Sequence, residues 1–218
     1  GGGLHRAGVH LFQGDLLEER SGVPWCPPLG VAIHLAWRVL AQEVRTDGRR
    51  IAWVGTEVKP VERMLLGGMR AGRTRCSSPF DSEAHGPCVH RTHPDRRLLE
   101  ASFHIAVSRS DVTERLWAIE QAVSCPGVAM VVADGRDLTM PAMRRLQLAA
   151  IAAAEDSSGG HVHAGLSGPT GALLLVVRPP GEAAVRSATA TRWRVEAARC
   201  HGFAEEPTWA VGLLRARG

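Results

Sequence analysis

The sequence predicts an α/β fold with a mainly parallel central sheet, flanked by helices and extended by antiparallel C-terminal strands. Short apolar runs alternate with amphipathic stretches along most of the 218 residues, as repeated βα units do. The run VAMVVA at 128–133 is apolar on both faces of the pleat, which is typical of a central parallel strand covered by helices on both sides. Near the C-terminus, two strand-like segments follow each other without a helical pattern between them, so we expect them to extend the sheet in antiparallel fashion.

The N-terminal part begins with an apolar strand at 8–13. A proline-rich loop then leads into a helix at 29–44, and the apolar run IAWVG predicts a second strand at 51–55. A short helix is expected at 60–66. Between 67 and 97 the composition changes to Gly, Ser, Pro, His and Arg without hydrophobic periodicity, which predicts a long loop or insertion.

The C-terminal part contains two helices with recognisable starts. Ser110 or Asp111 is expected to cap a helix that runs to 123, and Asp111 is followed three residues later by Glu114, as in a capping box. Pro141 suits the first turn of a second helix at 139–154. The predicted strands of this part lie at 102–107, 128–133, 172–177, 188–196 and 208–214.

The composition indicates one globular domain covering residues 1–218. Hydrophobic residues make up 44% and charged residues 22%, and the net charge of +4 is carried almost wholly by arginine, which permits contact with nucleic acid without requiring it. Five irregularly spaced cysteines predict reduced thiols and a cytoplasmic protein. No apolar run approaches the ~20 residues that span a bilayer, so no membrane association is expected. The chain starts at GGGL, from which we expect that an N-terminal segment has been trimmed.

The first strand runs into Gly14, where a nucleotide-binding chain of this layout would place its phosphate loop. Such a loop reads G-x-x-x-x-G-K-[ST], because the lysine reaches the outer phosphates and the hydroxyl binds magnesium. Here the segment is GDLLEERSGVPWCPPLG, without a lysine, and the single lysine of the chain is Lys59. This segment carries three acids that would repel a triphosphate, Asp15, Glu18 and Glu19. We therefore predict a degenerate Walker A segment, no cofactor and no catalysis.

Several stretches together resemble the ImuA family, the RecA-like accessory proteins of bacterial mutagenic translesion-synthesis cassettes. The resemblance covers about the first 14 residues and most of 99–218. Its most specific pieces are RRLQLAA, an apolar strand, TRWRV and a terminal LLR-x-R, in that order. The stretches are GGGLHRAGVHLFQG, LWAIEQAVSCPGVAMVVAD, MRRLQLAA, GALLLVVRPP, ATRWRVEA and WAVGLLRARG.

The resemblance implies a RecA-like core and a role in the SOS response to DNA damage. A family member would support error-prone translesion synthesis by binding an ImuB-like polymerase homologue, with RecA and an error-prone polymerase as further partners and only indirect contact with DNA. It would be cytoplasmic and associate with the nucleoid on DNA damage. The family is also related to the cell-division inhibitor SulA, so SulA-like inhibition of division is an alternative function.

Three residues stand at positions that a RecA-like ATPase uses for its nucleotide. Glu57 and Asp134 follow strands where such enzymes keep an activating glutamate and a magnesium-linked aspartate, and Gly14 begins the degenerate loop. Those roles require phosphate and Mg²⁺ to be held first. We interpret the three positions as vestigial, and the acids as remnants or structural partners. A divergent ATPase that uses Lys59 or an arginine is the enzymatic alternative.

Arg144 and Arg145 lie in the first turns of a predicted helix, where cations oppose the helix dipole. They are candidates for contact with a partner or with DNA. The alternative is a local ion pair with Asp134 or Asp137 just upstream.

Arg192 and Arg194 alternate with Trp193 on a predicted strand, so the two arginines share one face and the tryptophan is expected in the core. With Arg215 and Arg217 they are candidates for a basic surface that contacts a partner or DNA, since arginine binds two phosphate oxygens at once. A solvated sheet face is the alternative.

Some cysteines and histidines of the 67–97 segment are weak candidates for a zinc site, which would make the protein a zinc-dependent nucleic-acid module. The residues are Cys76, Cys88, His90 and His93, with His85 nearby. Their spacing matches no common tetrahedral zinc pattern, so a polar insertion without metal is favoured. Cys125 precedes Pro-Gly at a helix end and is expected to be a buried structural thiol.

Overall fold

The computed structural model describes residues 4, 6, 8–14, 27–43, 48–62, 65, 96–159, 171–179, 189–198 and 208–216. The strands are β1 (Val9–Gln13), β2 (Arg50–Val54), β3 (Ser102–Ile105), β4 (Val128–Asp134), β5 (Leu173–Arg178), β6 (Thr191–Ala198) and β7 (Thr208–Ala216). The helices are α1 (Leu29–Glu43), α2 (Arg96–Ala101), α3 (Val112–Ser124) and α4 (Met140–Gly159).

The seven strands form one sheet in the order β3-β2-β4-β5-β1-β6-β7. All neighbouring pairs among strands β1 to β6 are parallel, and β7 is antiparallel to β6. The prediction of a mainly parallel α/β sheet with an antiparallel C-terminal pair is therefore confirmed. The expectation that both last strands run against the sheet is wrong for β6, which pairs in parallel with β1.

The helices differ from the prediction at one place, and a second predicted helix is only partly described. Helix α2 was not predicted, and it begins at Arg96, so the 67–97 segment ends earlier than expected. The rest of that segment lies outside the described residues. Of the short helix expected at 60–66, residues 60–62 and 65 are described, and the Leu65 N–H donates to the Val61 carbonyl at 3.3 Å, as in one helical turn.

The sheet separates two apolar cores, because side chains alternate between its faces. On one face, which we call the α3/α4 face, Val131 and Ala133 pack with α3 and α4. On the other, the α1 face, Met130 and Val132 pack with α1 and α2. All seven residues of β4 are buried, as the apolar run predicted. No helix among the described residues is long and apolar enough to cross a membrane.

The parallel strands all present their carboxyl ends at one edge of the sheet, where polar side chains collect. In α/β sheets ligands bind outside this edge. The residues found there are Gly55 and Glu57 after β2, Asp134 of β4, Arg178 of β5, Gln13 of β1 with Gly14 after it, and Arg194 of β6.

Candidate functional site

Asp134 is the last residue of β4 and is completely buried. Its Oδ1 atom accepts a hydrogen bond from the Arg136 backbone N–H at 3.0 Å, and its Oδ2 atom lies 3.9 Å from Arg115 Nη1. Burial raises the pKa of Asp134, and burial together with the charge of Glu57 outweighs the opposing Arg136 backbone hydrogen bond and the charges of Arg115 and Arg136. The ionised form of the Asp134 carboxylate is therefore stabilised by the Arg136 N–H and by the charges of Arg115 and Arg136.

Arg115 is a fully buried arginine that projects from α3 toward the sheet edge. Its Nη1 donates to the Arg109 carbonyl at 3.0 Å, and its Nη2 donates to the Arg136 carbonyl. The start of α3 is fixed by Asp111, whose side chain accepts from the Glu114 N–H at 2.8 Å, so the predicted cap is confirmed. The fixed helix start and the two carbonyls hold the guanidinium beside Asp134.

Glu57 is the second acid of the edge and lies beside two other arginines. Its Oε1 is 3.5 Å from Arg136 Nη1 and 3.7 Å from Arg109 Nη1, and about a quarter of its side chain is exposed. Arg136 thus contacts Glu57 through its side chain and Asp134 through its backbone N–H. The two acids predicted from the sequence are brought to one edge, and each faces arginine there.

The ends of β2 and β4 approach each other closely at Gly55. This residue has φ +106°, and a Cβ added to it would lie 2.7 Å from the Asp134 Cβ. Glycine is required because it tolerates both the positive φ and the short separation. The geometry of the Asp134 site thus depends on this glycine.

The arginines of this network were not predicted as site residues. Arg115 falls on the buried stripe of α3, with apolar residues three, four, seven and eight positions later. An arginine on an otherwise apolar stripe is a sequence signal for a buried charge, and charges of this kind are almost always paired. The apolar members of the stripe are Ala118, Ile119, Ala122 and Val123.

Gly14 lies at the same edge but is separated from Asp134 by β5. Its N–H donates to the Arg178 carbonyl at 3.0 Å, which continues the β1–β5 ladder by one residue. That N–H is consequently engaged within the sheet. Residues 15–26, which include the three acids of the degenerate loop, lie outside the described residues.

Arg144 and Arg145 lie on the solvent side of α4. Arg145 is paired with Glu120 of α3, with Nη2 donating to Oε2 at 2.6 Å. The ion pair seen at Arg145 is thus made with an acid of the neighbouring helix. The alternative pairing of Arg144 or Arg145 with Asp134 or Asp137 stays a prediction. Arg144 is exposed.

A second group of arginines surrounds Gln13 on the α3/α4 face. Arg192 Nε donates to Gln13 Oε1 at 3.0 Å, and Arg178 and Arg194 stand opposite Gln13 on β5 and β6. Partial burial lowers the pKa of Arg192, and the charges of Arg178 and Arg194 lower it further. Arg178 and Arg194 thus lie close enough to Arg192 for their charges to act on it.

The remaining C-terminal candidates are placed as follows. Arg194 is exposed and lies 3.7 Å from Glu196, Arg215 is exposed opposite Arg192 on β7, and Arg217 lies outside the described residues. Trp193 is half-buried against the α1-face core, as predicted, and its ring stacks on Phe12 with centroids 6.1 Å apart.

The cysteine and histidine predictions fare differently. Cys76, Cys88, His90 and His93, with His85, lie outside the described residues. Within the described part of the chain, no group of three or more His, Cys, Asp or Glu side chains is placed to hold a metal ion. Cys125 is exposed, so the prediction of a buried thiol is wrong. It follows the last turn of α3, off the buried stripe of that helix.

A scan of the chain against protein-family models finds no match, and a search of curated proteins finds none. The resemblance to the ImuA family therefore stays a prediction made from the residues themselves.

Proposed function

We propose that this protein is a non-catalytic, RecA-like accessory factor of the SOS response to DNA damage. It supports error-prone translesion synthesis through protein–protein contacts with an ImuB-like polymerase homologue. RecA and an error-prone polymerase complete the assembly, and DNA is reached through these partners. The biological role comes from the ImuA resemblance, and the non-catalytic character from the residues at the sheet edge.

The observation that carries the proposal is the pairing of both edge acids with arginine. Mg²⁺ requires near-octahedral oxygen ligands at about 2.0–2.1 Å. At Asp134 one oxygen accepts the Arg136 N–H and the other faces the Arg115 guanidinium. A magnesium ion would have to displace Arg115, a cation with no solvent exposure and two carbonyl partners. Displacement would leave an uncompensated buried charge, which is strongly unfavourable.

The segment after β1, where a phosphate loop would lie, also supports the proposal. A nucleotide-binding loop needs free backbone N–H groups and a lysine for the outer phosphates. The Gly14 N–H is bonded to the Arg178 carbonyl, and the segment after it contains no lysine. The engaged Gly14 N–H and the missing lysine support the proposal that the protein does not bind a nucleotide.

A nucleotide titration tests the non-catalytic character. Isothermal calorimetry with ATP and Mg²⁺ should give no saturable binding up to millimolar nucleotide. Micromolar affinity that depends on Mg²⁺ and is lost in Glu57→Ala or Asp134→Ala would contradict the proposal and favour the divergent ATPase. The unfolding transition of each variant should be recorded as a control for folding.

A pull-down from DNA-damaged cells tests the partner. The tagged protein should recover an ImuB-like polymerase homologue. Deletion of the gene for the tagged protein itself should lower damage-induced mutation frequency. Expression that instead blocks septation without changing mutation frequency would favour the SulA-like alternative.

A further inference from the structure

Strand β7 forms one edge of the sheet and exposes apolar side chains there. It pairs with β6 on its inner side, and on its outer side no strand of the described residues adds to it. Val211, Leu213 and Leu214 are 45%, 51% and 45% exposed. An edge of this kind presents unpaired backbone N–H and C=O groups beside apolar side chains.

The usual protections against strand pairing are sparse on β7. The strand is nine residues long, reads TWAVGLLRA, and contains no proline or lysine and a single charge, Arg215. Its one irregularity lies opposite Arg192 and Trp193, near the C-terminal end of the strand. Edge strands in natural proteins are normally short, charged, bulged or covered. Strand β7 is long and carries one charge, so it is suited to receive another strand.

The two faces of the edge differ in chemistry. On the α1 face, the Trp209 ring lies so close to Gly30 of α1 that a Cβ there would be 2.9 Å from it, and this end is covered. Val211 and Leu213 lie on the same face, opposite Val195 and Trp193, and are about half exposed. An incoming strand would find apolar neighbours on this face.

On the α3/α4 face the edge has a net positive charge, from Arg194 and Arg215 against Glu196, which lies 3.7 Å from Arg194. Ala210 and Gly212 of β7 carry almost no side chain, and a Cβ added at Gly212 would meet nothing within 4 Å. Arg194, opposite Gly212 on β6, is therefore accessible across β7, and 59% of its side chain is exposed. Arg215 lies on β7 itself, opposite Arg192.

We propose that the β7 edge binds an extended segment of a partner protein whose side chains alternate between apolar and acidic residues. The segment adds an eighth strand, its apolar side chains lie beside Val211 and Leu213, and its carboxylates reach Arg194 and Arg215. Backbone hydrogen bonds provide affinity and the alternating side chains provide specificity, as in other strand additions. The inference rests on the proposed function in one respect, that the protein acts by contact with other proteins.

Charge distinguishes this occupant from a second copy of the chain. Antiparallel pairing of β7 with β7 about a two-fold axis normal to the sheet would keep equivalent faces on the same side. Arg194 and Arg215 of both copies would then share one face, and like charges on neighbouring strands are destabilising. A nucleic acid would match the arginines but would leave the apolar side chains and the backbone groups of the edge unused.

A synthetic ten-residue peptide of alternating valine and glutamate, labelled for fluorescence polarisation, tests the proposal. It should bind saturably, and a peptide of alternating valine and lysine should bind at least about tenfold more weakly, since lysine would face arginine. The valine–glutamate peptide with N-methyl groups along both backbone edges should lose binding, because it cannot donate to β7. Equal binding of the glutamate and lysine peptides, or indifference to N-methylation, would overturn the proposal.

Variants of the chain locate the site. Leu213→Lys and the double change Arg194→Glu with Arg215→Glu should each weaken binding, the latter about fivefold to tenfold for two exposed ion pairs. The control is the single charge reversal Arg50→Glu at an exposed position on β2, which should bind as the parent does. If the double variant unfolds by circular dichroism, Arg194→Gln replaces it, with a smaller loss expected.

Two further results would overturn the inference. One is a folded parent chain that does not bind the valine–glutamate peptide. The other is a dimer by sedimentation that Leu213→Lys dissociates, since the edge would then belong to a second copy. Neither result affects the nucleotide titration or the damage-cell pull-down, so failure here is distinguishable from failure of the proposed function.

Discussion

Replacement of Arg115 by methionine should destabilise the protein strongly, because it leaves the Asp134 carboxylate buried without its cation. Methionine keeps much of the volume of the side chain but not its charge. The change also removes donors to the Arg109 and Arg136 carbonyls. Breaking a buried ion pair by removal of one partner typically costs about 3–5 kcal/mol. For a chain of this size that corresponds to a decrease in Tm of about 6–20 °C.

The cost should depend on pH, and its sign follows from Asp134. Burial raises the pKa of Asp134, so the native state holds this proton more tightly than the unfolded chain does. The stability from this group is therefore fully present below the unfolded pKa and is lost as pH rises through the folded pKa. Removal of Arg115 raises the folded pKa further, so Arg115→Met should lose more stability at about pH 7 than at about pH 4.

Urea unfolding followed by tryptophan fluorescence measures the effect at both pH values. Arg145→Met is the matched control: it breaks the exposed pair with Glu120, and should cost about 1 kcal/mol or less. Adding Asp134→Asn to Arg115→Met should recover part of the loss, because the amide carries no charge to compensate. A loss below about 1 kcal/mol at neutral pH, or a larger loss at acid pH, would refute the role of Arg115 as the partner of Asp134.

Three further predictions concern local features. Gly55→Ala should cost about 1–3 kcal/mol, because alanine is strained at φ +106° and its Cβ would meet Asp134; an unchanged thermal melt would contradict the close approach. Asp111→Ala should cost about 0.5–2 kcal/mol through loss of the α3 cap, and Asp111→Ser should retain most of the stability; equal losses in the two would argue against capping. Cys125 should be alkylated by iodoacetamide in the folded protein, and Cys125→Ser should change stability by less than about 0.5 kcal/mol. Peptide mapping that finds this thiol protected would show that it is covered.

The sheet was predictable where one strand alone carries the signal. The first six residues of β4 are apolar, and an unbroken apolar run indicates a strand covered on both faces. The direction of β6 was not predictable in this way, because alternation along a strand is the same whichever way its neighbour runs. Pairing with β1 is decided by contacts about 180 residues apart in sequence, which no local pattern records.

The candidate site was predictable in its acids and not in its cations. Glu57 and Asp134 follow apolar strands, and parallel strands bring such residues to one edge. Arg115 reaches the same edge from a helix, and only the packing of α3 on the sheet shows that its stripe faces Asp134. Helix α2 was missed because six residues are too few for a periodic pattern.

Strand β1 lies inside the sheet rather than at an edge, and this position has a consequence for synthesis. Its two neighbours are β5 and β6, whose paired residues lie at 174–178 and 191–194, so β1 is made well before both strands that flank it. At typical elongation rates the nascent chain carries β1 with both sides bare for about 10–35 s. Ribosome-bound chains that end before β5 should accordingly be chaperone clients, and release should follow only once β6 has emerged.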